Sequence, residues 1–226
     1  MIDPRDNHEY KIVTIGEQIW MAENLAYLPS VNKPEAAATS DGDPRYFVFN
    51  YDGEDVNAAK ATKEYKTYGV LYNWYAAMNQ KNATGGNPDA IPSGIQGICP
   101  NGWHLPSKAE WKKLESFVAG ELSPVEGNVW TDDDGNKHSD NDCKNIWSAL
   151  TGNIDTDGWG ASSMTDENPD LANGPRNTYG FNVLPAGQCY QSGSFESPKF
   201  TEQNRLLEHR PSYLWSRNHL FQQFKL

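Results

Sequence analysis

Apolar and polar positions alternate first along the N-terminal part of the chain. Tyr10-Lys11-Ile12-Val13-Thr14-Ile15 and Gln18-Ile19-Trp20-Met21 flank a Gly16-Glu17 break. Glycine at the first central position of a two-residue loop suits a type II′ turn, so this segment predicts a β-hairpin. Residues 29–67 lose that regularity, because Pro29, Pro34, Gly42, Pro44 and Gly53 interrupt them, and they predict a loop-rich stretch. Within it the aromatic word Tyr46-Phe47-Val48-Phe49 reads as a short strand. From Tyr68 the period changes. Leu71, Trp74, Tyr75 and Met78 stand at i, i+3, i+4 and i+7, the apolar stripe of a helix over roughly residues 69–80 that faces the core.

A second helix carries its own start signal. Ser107 suits the N-cap and Glu110 follows three residues later, so each side chain can satisfy the other's free backbone N–H in a capping box. Trp111, Leu114, Phe117 and Val118 then predict one buried face, and Gly120 predicts a left-handed stop. Trp20, Trp74, Trp103 and Trp111 are expected to share one aromatic core. Residues 121–178 are dominated by turn chemistry, with Asp132-Asp133-Asp134-Gly135-Asn136, Asp140-Asn141-Asp142 and Asp155-Thr156-Asp157-Gly158-Trp159. Strand-like words return at residues 179–184 and 212–216. No fixed-period repeat or flexible linker divides the chain, so residues 1–226 read as one α+β domain.

Composition sharpens this picture in two ways. The 8 Trp, 11 Tyr and 8 Phe must supply much of the core. A formal net charge of −11 opposes a phosphate-backbone footprint and argues against nucleic acid as a partner. No apolar run approaches the length of a membrane span. Cys99, Cys143 and Cys189 are widely spaced and lack the C-x-x-C of structural zinc sites. One disulfide with an odd thiol, and buried reduced thiols, both remain open.

Catalytic patterns are scarce. The nucleophile elbow, phosphate loop, dinucleotide fingerprint and zinc-protease helix motif are absent. His8, His104, His138, His209 and His219 are scattered, and His104, between Trp103 and Leu105, reads as a partly buried structural side chain. Hard oxygen donors collect in one region: Asp132, Asp134, Asn136, Asp140 and Asp142 are the candidate calcium ligands, although the spacing is not that of an EF-hand. Trp130, Trp147, Trp159, Tyr190 and Tyr213 are the candidate ligand contacts, being amphipathic aromatics in irregular segments.

Four words in combination are diagnostic: Trp20-Met21-Ala22-Glu23-Asn24-Leu25, Tyr68-Gly69-Val70-Leu71-Tyr72-Asn73-Trp74, Cys99-Pro100-Asn101-Gly102-Trp103-His104-Leu105-Pro106 and Glu110-Trp111. Together with Asp3-Pro4-Arg5-Asp6, Gly180-Phe181, Leu184-Pro185-Ala186-Gly187 and Leu214-Trp215-Ser216, they resemble the Fibrobacter succinogenes major paralogous domain family over nearly the whole chain. The resemblance implies an exported, often lipid-anchored protein of Bacteroidetes or Fibrobacteres. The start of the second helix is also similar to the formylglycine-generating-enzyme superfamily, which implies a C-type-lectin-like fold with two main helices, short antiparallel strands and long irregular loops. That superfamily's catalytic cysteine pair has no counterpart here, since Cys189 has no partner nearby in sequence. Family members usually continue to a final Cys-containing strand, whereas this chain stops at Phe224-Lys225-Leu226, and residues 197–210 look inserted. The resemblance thus implies a truncated or divergent C-terminus in which the partner of Cys99 is missing.

The functional expectation is a non-catalytic binding or adhesion module, secreted or at the cell surface, that recognises a glycan or protein through residues 121–178 and 188–212. It needs no cofactor, with calcium as an optional ion. Two other classes compete with it. One is a structural subunit of a surface assembly or virion, or a diversified receptor-binding protein, for which adenine-rich codons around residues 212–218 would speak. The other is an enzyme of the formylglycine-generating or glycan-hydrolysing type.

Overall fold

The computed structural model describes residues 1–121 except Ser40 and Pro88, together with residues 129–131, 137–139, 149, 150, 152, 177–184, 186–190 and 192–196. Strands β1 (Ile12–Ile15) and β2 (Gln18–Met21) form the expected antiparallel hairpin, with Ile15 opposite Gln18. Gly16 takes φ +60° and Glu17 stays out of the left-handed region, as a type II′ turn requires. Strand β2 is a wall between two cores. Side-chain alternation turns Gln18 and Trp20 to one side, Ile19 and Met21 to the other.

The stretch expected to be loop contains more structure than that. A 3-10 helix (Pro34–Ala38) is followed by β3 (Tyr46–Phe47), α1 (Val56–Ala61) and α2 (Lys63–Tyr68). Both α-helices begin at readable caps. The Asp55 carboxylate accepts from the backbone N–H groups of Asn57 and Ala58, and the Thr62 hydroxyl accepts from that of Tyr65.

The helix expected over 69–80 is corrected. Gly69 ends α2 at φ +71°, its N–H bonded to the Tyr65 carbonyl. Leu71 and Tyr72 form β4 (Leu71–Tyr72), paired antiparallel with β3, and only α3 (Trp74–Ala77) is helical. Asn73 divides the stripe. Its Oδ1 accepts from the N–H groups of Ala76 and Arg45 at 2.9 Å each, and its Nδ2 donates to the Asp43 carbonyl. These bonds start a new helix at 74 and tie the preceding residues into the β3–β4 pair.

Helix α4 (Lys108–Glu121) carries the expected capping box: the Ser107 hydroxyl accepts from the Glu110 N–H at 3.1 Å, and the Glu110 carboxylate accepts from the Ser107 N–H at 2.8 Å. Two details differ. Gly120 lies inside the helix instead of ending it, and Phe117 is 37% exposed while Trp111, Leu114 and Val118 are buried. At about 100° per residue Phe117 stands roughly 60° beyond the edge of the stripe those three define.

Three apolar clusters hold the elements together. The first packs Met21, Leu25, Val70, Tyr72 and Trp103, the second Ile15, Trp20, Trp111, Leu114, Val118, Leu150 and Phe181, and the third Phe47, Phe49, Leu71, Ala186 and Cys189. All four expected core tryptophans are buried, but not around one centre: Trp20 and Trp111 meet in the second cluster, 4.7 Å between ring centroids, and Trp103 belongs to the first. The extended segment 22–28 is fastened by tyrosines. Tyr65 donates its hydroxyl to the Ala26 carbonyl, Tyr72 to that of Tyr27, and the Tyr10 hydroxyl accepts from the Ala26 N–H.

Residues 179–184 form a turn and a single bridge at Val183, not a strand, because Val183 exchanges backbone bonds with Leu150 and Gly152. Strands β5 (Val129–Thr131) and β6 (Lys137–Ser139) pair antiparallel, as do β7 (Gln188–Cys189) and β8 (Phe195–Glu196). The fold is therefore mixed helix and small two-stranded antiparallel sheets. Among the described residues no helix is long and apolar enough to cross a membrane.

Candidate functional site

Of the aromatic residues expected to contact a ligand, Tyr190 can be placed in full. It follows β7 and is 41% exposed. Its N–H donates to the Ser194 carbonyl and its own carbonyl accepts from the Gly193 N–H, both at 2.9 Å. The β7–β8 hairpin rests on the body of the molecule at three points. Phe195 meets Phe49 edge-on at 5.6 Å, the buried Cys189 Sγ lies 3.8 Å from the Pro34 carbonyl, and Gly193 approaches Glu35 so closely that a Cβ would stand 3.1 Å from its Cα. An amphipathic ring is thus presented at a turn whose backbone is already fixed, which lowers the entropy lost when a partner is bound.

Trp130 lies in β5 opposite His138. Trp147, Trp159 and Tyr213, the oxygen donors Asp132, Asp134, Asn136, Asp140 and Asp142, and Cys143 lie outside the described residues. So does the word at 212–216. Among the described residues no group of three or more His, Cys, Asp or Glu side chains is arranged to hold a metal ion.

The buried polar chemistry that is visible serves the fold. The Glu110 carboxylate, fully buried, bonds His104 Nε2 at 2.9 Å as well as the Ser107 N–H, and the His104 side chain is only 14% exposed, the structural part its neighbours had indicated. Arg5 forks onto the buried Asp3, donates to the Ile98 carbonyl at 2.7 Å and covers the Tyr27 ring at 3.9 Å. Burial acts to raise the Asp3 carboxyl, and the hydrogen bonds and charge of Arg5 outweigh it, holding the group below its ordinary value. Cys99 and Cys189 are free, buried thiols, and burial raises both, Cys189 to about 11. At neutral pH neither is a thiolate nucleophile.

Two of the diagnostic words meet in space around one glycine. The Val70 N–H donates to the Leu25 carbonyl, the Asn24 amide donates to that of Tyr68, and a Cβ on Gly69 would lie 2.8 Å from the Leu25 oxygen. A family model described as the Fibrobacter succinogenes major domain matches residues 13–222. The chain belongs to this family. No curated protein and no solved structure matches it. The Fibrobacter succinogenes major domain match begins within β1, yet the preceding residues are part of the same body, since Asp3 and Tyr10 are buried and Ile2 bridges Glu9.

Proposed function

We propose that this member of the Fibrobacter succinogenes major domain family is a non-catalytic binding or adhesion module, exposed at the cell surface or secreted, that recognises a glycan or protein ligand on a C-type-lectin-like scaffold. The observation that carries this reading is Tyr190, an exposed aromatic on a hairpin closed by its own backbone bonds and packed through Phe195 and Cys189 against the core. Tyrosine supplies a large contact face and a polar tip at low conformational cost, the combination enriched where proteins bind partners. The carboxylates of Asp3 and Glu110 are engaged by Arg5, by His104 and by the Ser107 N–H in holding the fold. Calcium, bound by the oxygen donors at 132–142, is a proposed accessory ion.

A glycan and surface-protein array probed with the purified chain, with calcium and with a chelator, tests the proposal. Binding of a defined ligand class that falls roughly fivefold or more in Tyr190→Ala supports it. Equal binding by the parent and the variant rejects Tyr190 as the contact.

A further inference from the structure

The loop between α3 and α4 carries a chemistry that the binding reading leaves unused. Asn101 is followed by Gly102, and both are exposed. The side-chain amide carbon of an asparagine is open to attack by the backbone nitrogen of the next residue, and glycine presents that nitrogen with no side chain to obstruct the approach. The other asparagines of this loop lack such a neighbour: Asn79 precedes Gln80, Asn82 precedes Ala83, and Asn87 precedes Pro88, whose nitrogen carries no proton. The second Asn-Gly pair of the chain, Asn173-Gly174, lies outside the described residues.

Three observations show how the fold holds the pair. The Trp103 N–H donates to the Pro100 carbonyl at 3.0 Å and closes a four-residue turn. Gly102 takes φ +85° while Asn101 stays out of the left-handed region, which makes the turn type II. The Asn101 Oδ1 accepts from Gln96 Nε2 at 3.0 Å, and the same nitrogen donates to the Cys99 carbonyl at 3.1 Å, so the amide is held from the side as well. A type II turn sets ψ of its first central residue at about +120°, which leaves the Gly102 nitrogen rotated roughly 120° from the Asn101 Cβ about the Cα–C bond. Closure of a five-membered ring needs those two atoms eclipsed. The turn therefore keeps the nitrogen away from the carbon it would attack.

We propose that Asn101-Gly102 is a latent site of spontaneous deamidation that the type II turn holds closed and that reacts when this loop opens. The Gly102 nitrogen gives its proton to solvent base and bonds to the Asn101 amide carbon, whose bond to nitrogen breaks to release ammonia. Water then opens either carbonyl of the cyclic imide, leaving aspartate or isoaspartate, with no change of oxidation state. The isoaspartyl product adds one methylene to the backbone between Pro100 and Trp103, so the turn no longer closes beneath the buried Cys99 and Trp103.

The test is incubation of the full chain at mildly alkaline pH in buffer and in guanidinium chloride, followed by trypsin and mass spectrometry of the peptide 82–108. In denaturant Asn101 should exchange its amide NH2 for a hydroxyl ahead of Asn82 and Asn87. In buffer the reaction waits on the open fraction of the loop and should run about tenfold slower or more. The isoaspartyl chain, isolated and returned to buffer, should fail to refold or melt below the parent. Asn101→Asp adds the charge without lengthening the backbone and should melt close to it. Equal rates in buffer and denaturant overturn the proposal, as does an Asn101 that reacts no faster than Asn82 in denaturant, or an isoaspartyl chain that melts with the parent.

Discussion

Replacing Ser107 with Ala removes more than a helix cap. The Ser107 side chain is fully buried and its hydroxyl makes two bonds: it accepts from the Glu110 N–H at 3.1 Å and donates to the Ala90 carbonyl at 2.6 Å. An N-cap alone is worth about 1 kcal/mol. Loss of the second bond adds about 1 kcal/mol more, for an expected destabilisation of about 2 kcal/mol. In a chain of this length that corresponds to a melting temperature lower by roughly 4–8 °C. Urea unfolding followed by tryptophan fluorescence is a suitable assay, because Trp111 lies one turn from the cap and packs against Trp20. The reciprocal bond to the Glu110 carboxylate is donated by the Ser107 backbone N–H and survives Ser107→Ala, so the loss reads the hydroxyl alone. A loss of about 1 kcal/mol or less for Ser107→Ala refutes the argument that one buried hydroxyl joins the loop at Ala90 to the start of α4.

Trp20 is fully buried between Trp111 and Phe181, and Trp20→Ala should cost about 3–5 kcal/mol in the same urea experiment. Gly69→Ala places a methyl 2.8 Å from the Leu25 carbonyl at φ +71°, so a loss of about 1–3 kcal/mol is expected, and an unchanged midpoint contradicts the close approach. Because Arg5 depresses the folded-state Asp3 carboxyl, its stabilising contribution is complete above the unfolded value near 3.8 and is lost as pH falls through the lower folded value. Asp3→Asn should therefore flatten acid unfolding below about pH 4. Glu115 has the opposite sign, since burial raises it to about 7 against the smaller opposing effect of Lys112. Its ionisation penalises the fold increasingly from about pH 4.5 to 7, so Glu115→Gln should match the parent at about pH 4 and exceed it in stability at about pH 8.

Some of this molecule was legible residue by residue. The Gly16 turn, the Ser107–Glu110 box and the burial of four tryptophans follow from local φ preference, from reciprocal N–H satisfaction over three residues, and from side-chain size. The caps at Asp55 and Thr62 were equally local, and the prolines and glycines around them concealed two short helices. Other features had no local signature. Leu71, Trp74, Tyr75 and Met78 satisfy helical spacing whether or not residue 72 is helical. The choice was made by Tyr46 and Phe47, which lie far upstream in sequence yet pair with Tyr72 and Leu71 in the folded sheet.

Strand pairing between segments so far apart depends on the intervening chain having closed, and periodicity within one window cannot report it. The same holds for Phe117, which reads as one more member of an apolar helix face until the β1–β2 turn is brought against α4 and Gly16 meets its ring. Local chemistry determined where elements start and which rings are buried, while long-range contact decided which strands pair and which side chains meet, because those energies exist only after distant segments have been brought together.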